Sequence, residues 1–258
     1  MKYNRHRTIF SCITHCICMT CAFSLKEDVW YYLNMENHID FSQALFQAVI
    51  KGKKILTWMF YAQYAYVFGM MSYSATLTYF QTDRGVVYEW GTTSGSIALV
   101  YFCLSLTPGI ARRLGIRFRI FQILMLFRRH IGISAFVFGF FHYLAVRMLP
   151  ILLSGVPLNL NPPLFEVFGF LSLYPMILMF LTSNDYSVKK MGVWWKRLHS
   201  LSYVLVWTLF FHVALQGGET WKYLIGIFAV LETGSLAYFF FKPIVLQIFD
   251  RSLSEAKK

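Results

Sequence analysis

The run HIGISAFVFGFFHYLAV, from His130 to Val146, decides how this chain is read. It contains no Asp, Glu, Lys or Arg, and no alternation of the kind a barrel strand carries. At about 1.5 Å per residue it nearly crosses a hydrocarbon layer of about 30 Å as a helix, and gains the rest by running past Arg147 to Leu153. Five further stretches free of those charges lie around it: Ile55–Thr82, Gly91–Ile110, Val167–Asn184, Leu198–Gly218 and Tyr223–Phe241, the last interrupted by Glu232. The composition agrees. Of 258 residues, 57% are hydrophobic and 14% charged, against about 25% charged in an average soluble domain. One soluble core cannot hide that much apolar surface, and disordered or low-complexity chains are excluded by the same figures. The expectation is an all-α membrane protein, a bundle of six transmembrane helices.

Basic residues orient the bundle. The chain has 24 Lys and Arg against 12 Asp and Glu, a surplus that in a soluble chain would point to nucleic acid. Here it tracks the loops. Arg112, Arg113, Arg117, Arg119, Arg128 and Arg129 lie between the second and third spans, and Lys189, Lys190, Lys196 and Arg197 between the fourth and fifth. Lys51, Lys53 and Lys54 precede the first span, and Lys242, Arg251, Lys257 and Lys258 come after the sixth. Only Arg84, Arg147 and Lys222 fall at the other face. By the positive-inside rule both ends of the bundle face the cytoplasm. The expected organisation is an extension over 1–50, a six-helix domain over 51–245 and a cytoplasmic tail over 246–258. Thr8–Leu25 is an apolar run behind Lys2, Arg5 and Arg7, signal-like or interfacial. Its Cys12, Cys16, Cys18 and Cys21 match no zinc spacing and sit among Ile13, Ile17 and Met19, so they read as plain thiols. Cys103 stands alone in the second span.

Four histidines lie in the third and fifth spans: His130 and His142, His199 and His212. Polar groups at that depth are costly and usually functional. The two steps, 12 and 13 residues, correspond to roughly 18 and 20 Å, so the spans offer two histidines at each of two levels. Paired across the bundle, they give two bis-imidazole sites, for which iron protoporphyrin fits: apolar walls, axial nitrogens and basic groups at the rim. Arg128, Arg129 and Arg197 flank the inner level; Arg147 lies beyond His142. The same steps rotate by about 120° and 220°, so the histidines of one helix do not share a face. Interhelical hydrogen bonding is the plain alternative. For Glu232, a proton relay, a quinone contact and a hydrogen bond to a neighbouring Thr or Tyr all stand open.

At these residues the chain resembles the ferric reductase-like transmembrane domain family, and within it the MsrQ or YedZ family of haem-binding membrane subunits. Leu106-Thr107-Pro108, Arg128-Arg129-x-x-Gly132, Leu144 after His142, Leu181-Thr182-Ser183 and Gly192-x-x-Trp195-Lys196-Arg197-Leu198-His199 carry the likeness over about residues 55–245. The resemblance implies haem b ligated by His142, His199 and His212. His130 falls where many of that subfamily carry an apolar residue, whereas other ferric reductase-like proteins use four histidines. It also implies FMN and a periplasmic molybdenum-dependent catalytic subunit that reduces methionine sulfoxide. A cytoplasmic flavin reductase or a quinol is the expected donor, and the bacterial inner membrane the expected location.

Three functions stand as expectations. The first is a transmembrane electron conduit with no substrate-turnover site of its own, since a bis-His iron has no free position. The second is a ferric or cupric reductase, for which the loops Gln81–Trp90, Ser154–Pro163 and Gly217–Lys222 offer few chelating groups beyond Asp83, Glu89 and Glu219. The third is a cofactor-free transporter, for which no internal repeat or paired helix break is present.

Overall fold

The computed structural model describes residues 43–155, 157, 161–217 and 219–255. The chain divides into two compact units, Met1–Lys51 and Gly52–Lys258. Residues 43–51 of the first are helical; its apolar run, four of the cysteines and the remaining histidines lie outside the described residues. The second unit is helical throughout its described elements. These are α1 (Lys53–Tyr79), α2 (Arg84–Arg113), α3 (Arg119–Tyr143), a single π turn (Leu144–Met148), α4 (Leu149–Ser154), α5 (Leu164–Leu181), α6 (Asp185–Met191), α7 (Val193–His199), α8 (Ser202–Gln216) and α9 (Glu219–Glu255).

Five stretches have the length and apolarity to cross a membrane: Arg84–Arg113, Arg119–Leu153, Leu164–Leu181, Val193–Gln216 and Thr220–Pro243. The protein is a multi-pass helical membrane protein. The run expected first, Ile55–Thr82, forms the 27-residue α1. It falls short on apolarity because Gln63 and five tyrosines dilute it. Some of that polarity is used inside the bundle. Gln63 donates to Ser134 Oγ at 3.1 Å and accepts from Tyr101 Oη at 2.9 Å, joining α1 to α3 and α2.

The central element is α2. Leu99, Phe102 and Leu106 pack with Phe136 and Phe141 of α3, Leu205 and Val206 of α8, and Ile225 and Ala229 of α9 in one buried core. The opposite distribution holds for α5, whose spanning window is only 6% buried. Leu171, Tyr174 and Leu178 face outward, as a helix on the lipid side of a bundle should.

Two irregularities interrupt the helices. The stretch Arg119–Leu153 continues through the π turn, which inserts an extra residue just after His142 and rephases the helix beyond it. The stretch Val193–Gln216 is broken at Ser200–Leu201. There Leu201 N–H bonds to Leu198 C=O at 3.1 Å and Tyr203 N–H to Ser200 C=O at 3.0 Å, i→i+3 bonds that tighten the chain between α7 and α8. His199 and His212 therefore do not lie on one continuous helix. At the chain's end α9 runs to Glu255, so the expected tail is helical in its described part.

Candidate functional site

A cavity of about 700 Å³ opens between α2, α3, α5 and α8, at the end of the bundle where α2, α5 and α9 begin. That volume lies within the range usual for cofactor sites. Its walls are mostly apolar, with Leu99, Phe102, Leu173, Met176, Leu209 and Val213 among them. Two imidazoles enter it. His142 comes from the last turn of α3 and His212 from the last turns of α8, and their ring centres stand 6.2 Å apart with planes at 73°.

Each ring is held by a backbone carbonyl. His142 Nδ1 lies 2.9 Å from Gly91 C=O and His212 Nδ1 2.7 Å from Phe165 C=O. A carbonyl can only accept, so both Nδ1 atoms carry the proton and both Nε2 atoms keep a lone pair. This is the tautomer a metal-binding histidine uses, fixed in advance by its outer partner.

Glycines make the approach possible. A Cβ on Gly95 would come within 2.7 Å of His142 Nδ1, and one on Gly169 within 3.0 Å of His212 Cε1 and Nδ1. At Gly91 a Cβ would meet the Ala145 methyl at 2.8 Å. Each imidazole thus lies against a helix stripped of its side chain at that point. Arg147, on the π turn, reaches the same cavity, where its Nη2 stands 3.3 Å from Glu166 Oε2. Arg147 Nε and Glu166 Oε2 are buried with no hydrogen-bond partner.

Haem fits this arrangement. His142 and His212, with ring centres 6.2 Å apart in an apolar cavity, are the residues that would hold it. Among the described residues no group of three His, Cys, Asp or Glu could hold a bare metal ion; a porphyrin needs only two axial donors. The free Nε–H of Arg147 suits a haem carboxylate.

The other two histidines have separate neighbours. His130 stacks on Phe60 at 5.2 Å and meets Tyr61 edge-on, with Tyr64 Oη 3.4 Å from its Nδ1. His199 stacks on Trp195 at 4.0 Å, with its Nε2 3.2 Å from Thr182 Oγ1. Among the described residues no ring contact joins them. The basic groups expected around them are engaged elsewhere. Arg129 donates to Asp185 Oδ1 at 2.7 Å and holds that exposed carboxyl below the usual carboxylate range. Arg197 lies over the Trp194 ring at 4.8 Å, and Arg128 Nε donates to Ser105 C=O.

Glu232 has a partner the sequence did not single out. Its Oε1 pairs with Arg113 Nη2 at 2.5 Å, both side chains being buried. Arg113 also donates to Ser235 Oγ at 2.9 Å and Tyr203 Oη at 3.3 Å. This polar knot ties α2, α8 and α9 together. Also missed were Gly91, Gly95, Gly169, Phe165 and Glu166. The spacing of Gly91 and Gly95, small residues one turn apart in a membrane helix, is the only local signal that could have marked a close approach.

Residues 91–210 match the model for the ferric reductase like transmembrane component. The matched region contains His130, His142 and His199 and stops two residues before His212. The chain is also similar to the protein-methionine-sulfoxide reductase heme-binding subunits MsrQ of Brucella ovis, Brucella canis and Brucella suis. It is 31% identical to each over 85 residues, 32% of this chain and 39% of theirs. The match thus spans about two fifths of the length of these relatives. No solved structure matches the chain.

Proposed function

We propose that this chain is the haem b-carrying membrane subunit of an oxidoreductase, passing electrons from a cytoplasmic flavin reductase or a quinol to a methionine sulfoxide reductase partner in the periplasm. The observation that carries the proposal is the pair of Nδ1-anchored imidazoles 6.2 Å apart in an apolar cavity. The distribution of basic residues supports a cavity towards the periplasm, with both ends of a six-span bundle in the cytoplasm of a bacterial inner membrane.

The residues divide the work. Gly91 and Phe165 carbonyls hold the proton of each ring on Nδ1, so that each Nε2 keeps its lone pair as a neutral donor. Gly95 and Gly169 leave room for the rings. Haem held there would supply one-electron chemistry.

The test is made in membranes containing the full chain. Reduction by a flavin reductase or a quinol, then re-oxidation by the periplasmic partner and not by Fe(III), is the expected result. Re-oxidation by Fe(III) or Cu(II) alone would make the chain a metal reductase. A purified chain without haem absorption would make it neither.

A further inference from the structure

The carbonyls that hold the two imidazoles belong to different parts of the chain. His142 is held by Gly91 C=O, and the π turn after His142 lies directly on Gly91. A Cβ there would come within 2.8 Å of the Ala145 methyl and 2.9 Å of Val146 Cγ2. His212 is held by Phe165 C=O, the carbonyl of the peptide bond leading into Glu166 in the first turn of α5. Arg147 on the π turn and Glu166 on α5 meet at 3.3 Å, Nη2 to Oε2, with side chains 23% and 22% exposed. One ion pair thus joins the segment resting on Gly91 to the segment that begins with Phe165.

Local geometry explains how Arg147 makes this contact. Five steps along an α-helix turn the chain by about 140° beyond a full circle, away from the side His142 occupies. In the π turn Leu149 N–H bonds to Leu144 C=O, an i→i+5 bond. The wider turn brings the fifth residue back, and His142 and Arg147 line the same cavity. On the other side, α5 has few buried neighbours, its spanning window being 6% buried. Hydrogen bonds tie it to α7 and α8: Phe165 C=O with His212, Ser172 Oγ with Thr208 Oγ1, and Trp195 Nε1 with Thr182 C=O. Rings pack it on α3, with Phe136 on Phe180 and Tyr143 on Phe170. The charged contact on that side is Arg147–Glu166. Being mostly buried, the pair is less screened by water than an exposed one.

We propose that Arg147 and Glu166 are a positioning pair for the two facing histidines. Their contact fastens the π turn to the first turn of α5, and with it the Gly91 and Phe165 carbonyls that orient His142 and His212. The 6.2 Å spacing and 73° rotation of the two rings depend on that fastening. The inference rests on the haem reading and adds a role which that reading does not require. It also differs in sign from a plain counter-charge. Were Arg147 there only for a haem carboxylate, Glu166 would compete for the guanidinium, and its loss would tighten haem. In a strap, the loss of Glu166 loosens haem.

The experiment uses the purified, haem-containing full chain and takes two readouts. One is the rate of haem loss to excess apomyoglobin. The other is the ferric low-spin EPR spectrum, whose g values follow the angle between the two axial imidazole planes. Glu166→Gln should lose haem about tenfold faster, the low end for an outer partner of a metal ligand, and shift the g values. Arg147→Gln should do the same, and the double variant should be no worse than either, because the strap breaks once. Arg147→Lys, which keeps the charge, should keep the wild-type spectrum. A Glu166→Gln chain that holds haem as long as the wild type or longer, with unaltered g values, overturns the role of the pair alone. Losses that add in the double variant do so too. Should the Gln variants hold no haem, Arg147→Lys decides: a wild-type spectrum supports the strap and an altered one overturns it. A wild type that binds no haem overturns both readings.

Discussion

The two ends of the bundle hold two histidines each, and they use them differently. At the cavity end His142 and His212 face one another, each tied through Nδ1 to a carbonyl and each lying against a glycine. At the other end His130 is absorbed by the aromatic side chains of α1, and His199 by Trp195 and Thr182. What separates them is the second layer: space opposite the ring, an acceptor behind it and a cavity in front. A histidine in a membrane helix becomes a ligand when its neighbours leave it one free nitrogen and a place to put a metal.

The sharpest way to break this contrast is to remove a ring from the cavity. His142→Ala or His212→Ala should eliminate the haem there and stop electron delivery, while the chain still inserts, because insertion depends on overall hydropathy. Haem content, protein level and partner reduction measured on the same membranes check this. Retained haem and transfer at normal protein level would place the iron elsewhere.

The next largest effect belongs to the far end. Glu232→Leu leaves Arg113 buried without its counter-charge, which costs about 3–5 kcal/mol. The double variant Arg113→Met with Glu232→Leu should recover much of that loss. Thermal or denaturant unfolding in detergent gives both numbers. Similar losses in the single and double variants would mean that the pair does not act as a unit.

The glycines sharpen the comparison within the cavity itself. Gly95→Ala puts a methyl within 2.7 Å of His142 Nδ1 and should lower haem content and shift the spectrum. Gly139→Ala, whose methyl would meet Ala98 and Met176 at 3.7 and 3.8 Å, should leave both nearly unchanged. Equal responses would show that general crowding, and not the support of His142, is being measured. Smallest of all is the effect expected at His130, where leucine should keep haem content and spectrum as they are. A halved haem content in His130→Leu would restore a second site.

Much of the fold was legible in the sequence, for definite reasons. Charge-free runs mark spans because a bilayer tolerates few charges, and five such runs lie in helices that meet the length and apolarity of a span. Depth along a helix is simple arithmetic, which is why His142 and His212 could be placed at one level and Arg147 just beyond. Direction around the axis is not. A 12-residue step turns a helix by about 120°, and His130 meets α1 while His142 faces α8. On the fifth span, the break at Ser200–Leu201 separates His199 from the helix of His212. Glycines reveal nothing of what faces them, so Gly95 and Gly169 were silent. Arg113 read as a loop cation, because its burial depends on α9, more than 100 residues away in the chain.

The measurement that bears most directly on the contrast between the ends is haem quantitation per polypeptide on the purified full chain, with a reduced-minus-oxidised spectrum of the same sample. One b-type haem per chain, undiminished in His130→Leu and absent in His212→Ala, is the expected result. Two haems per chain, with one lost when His199 is replaced by alanine, would contradict it.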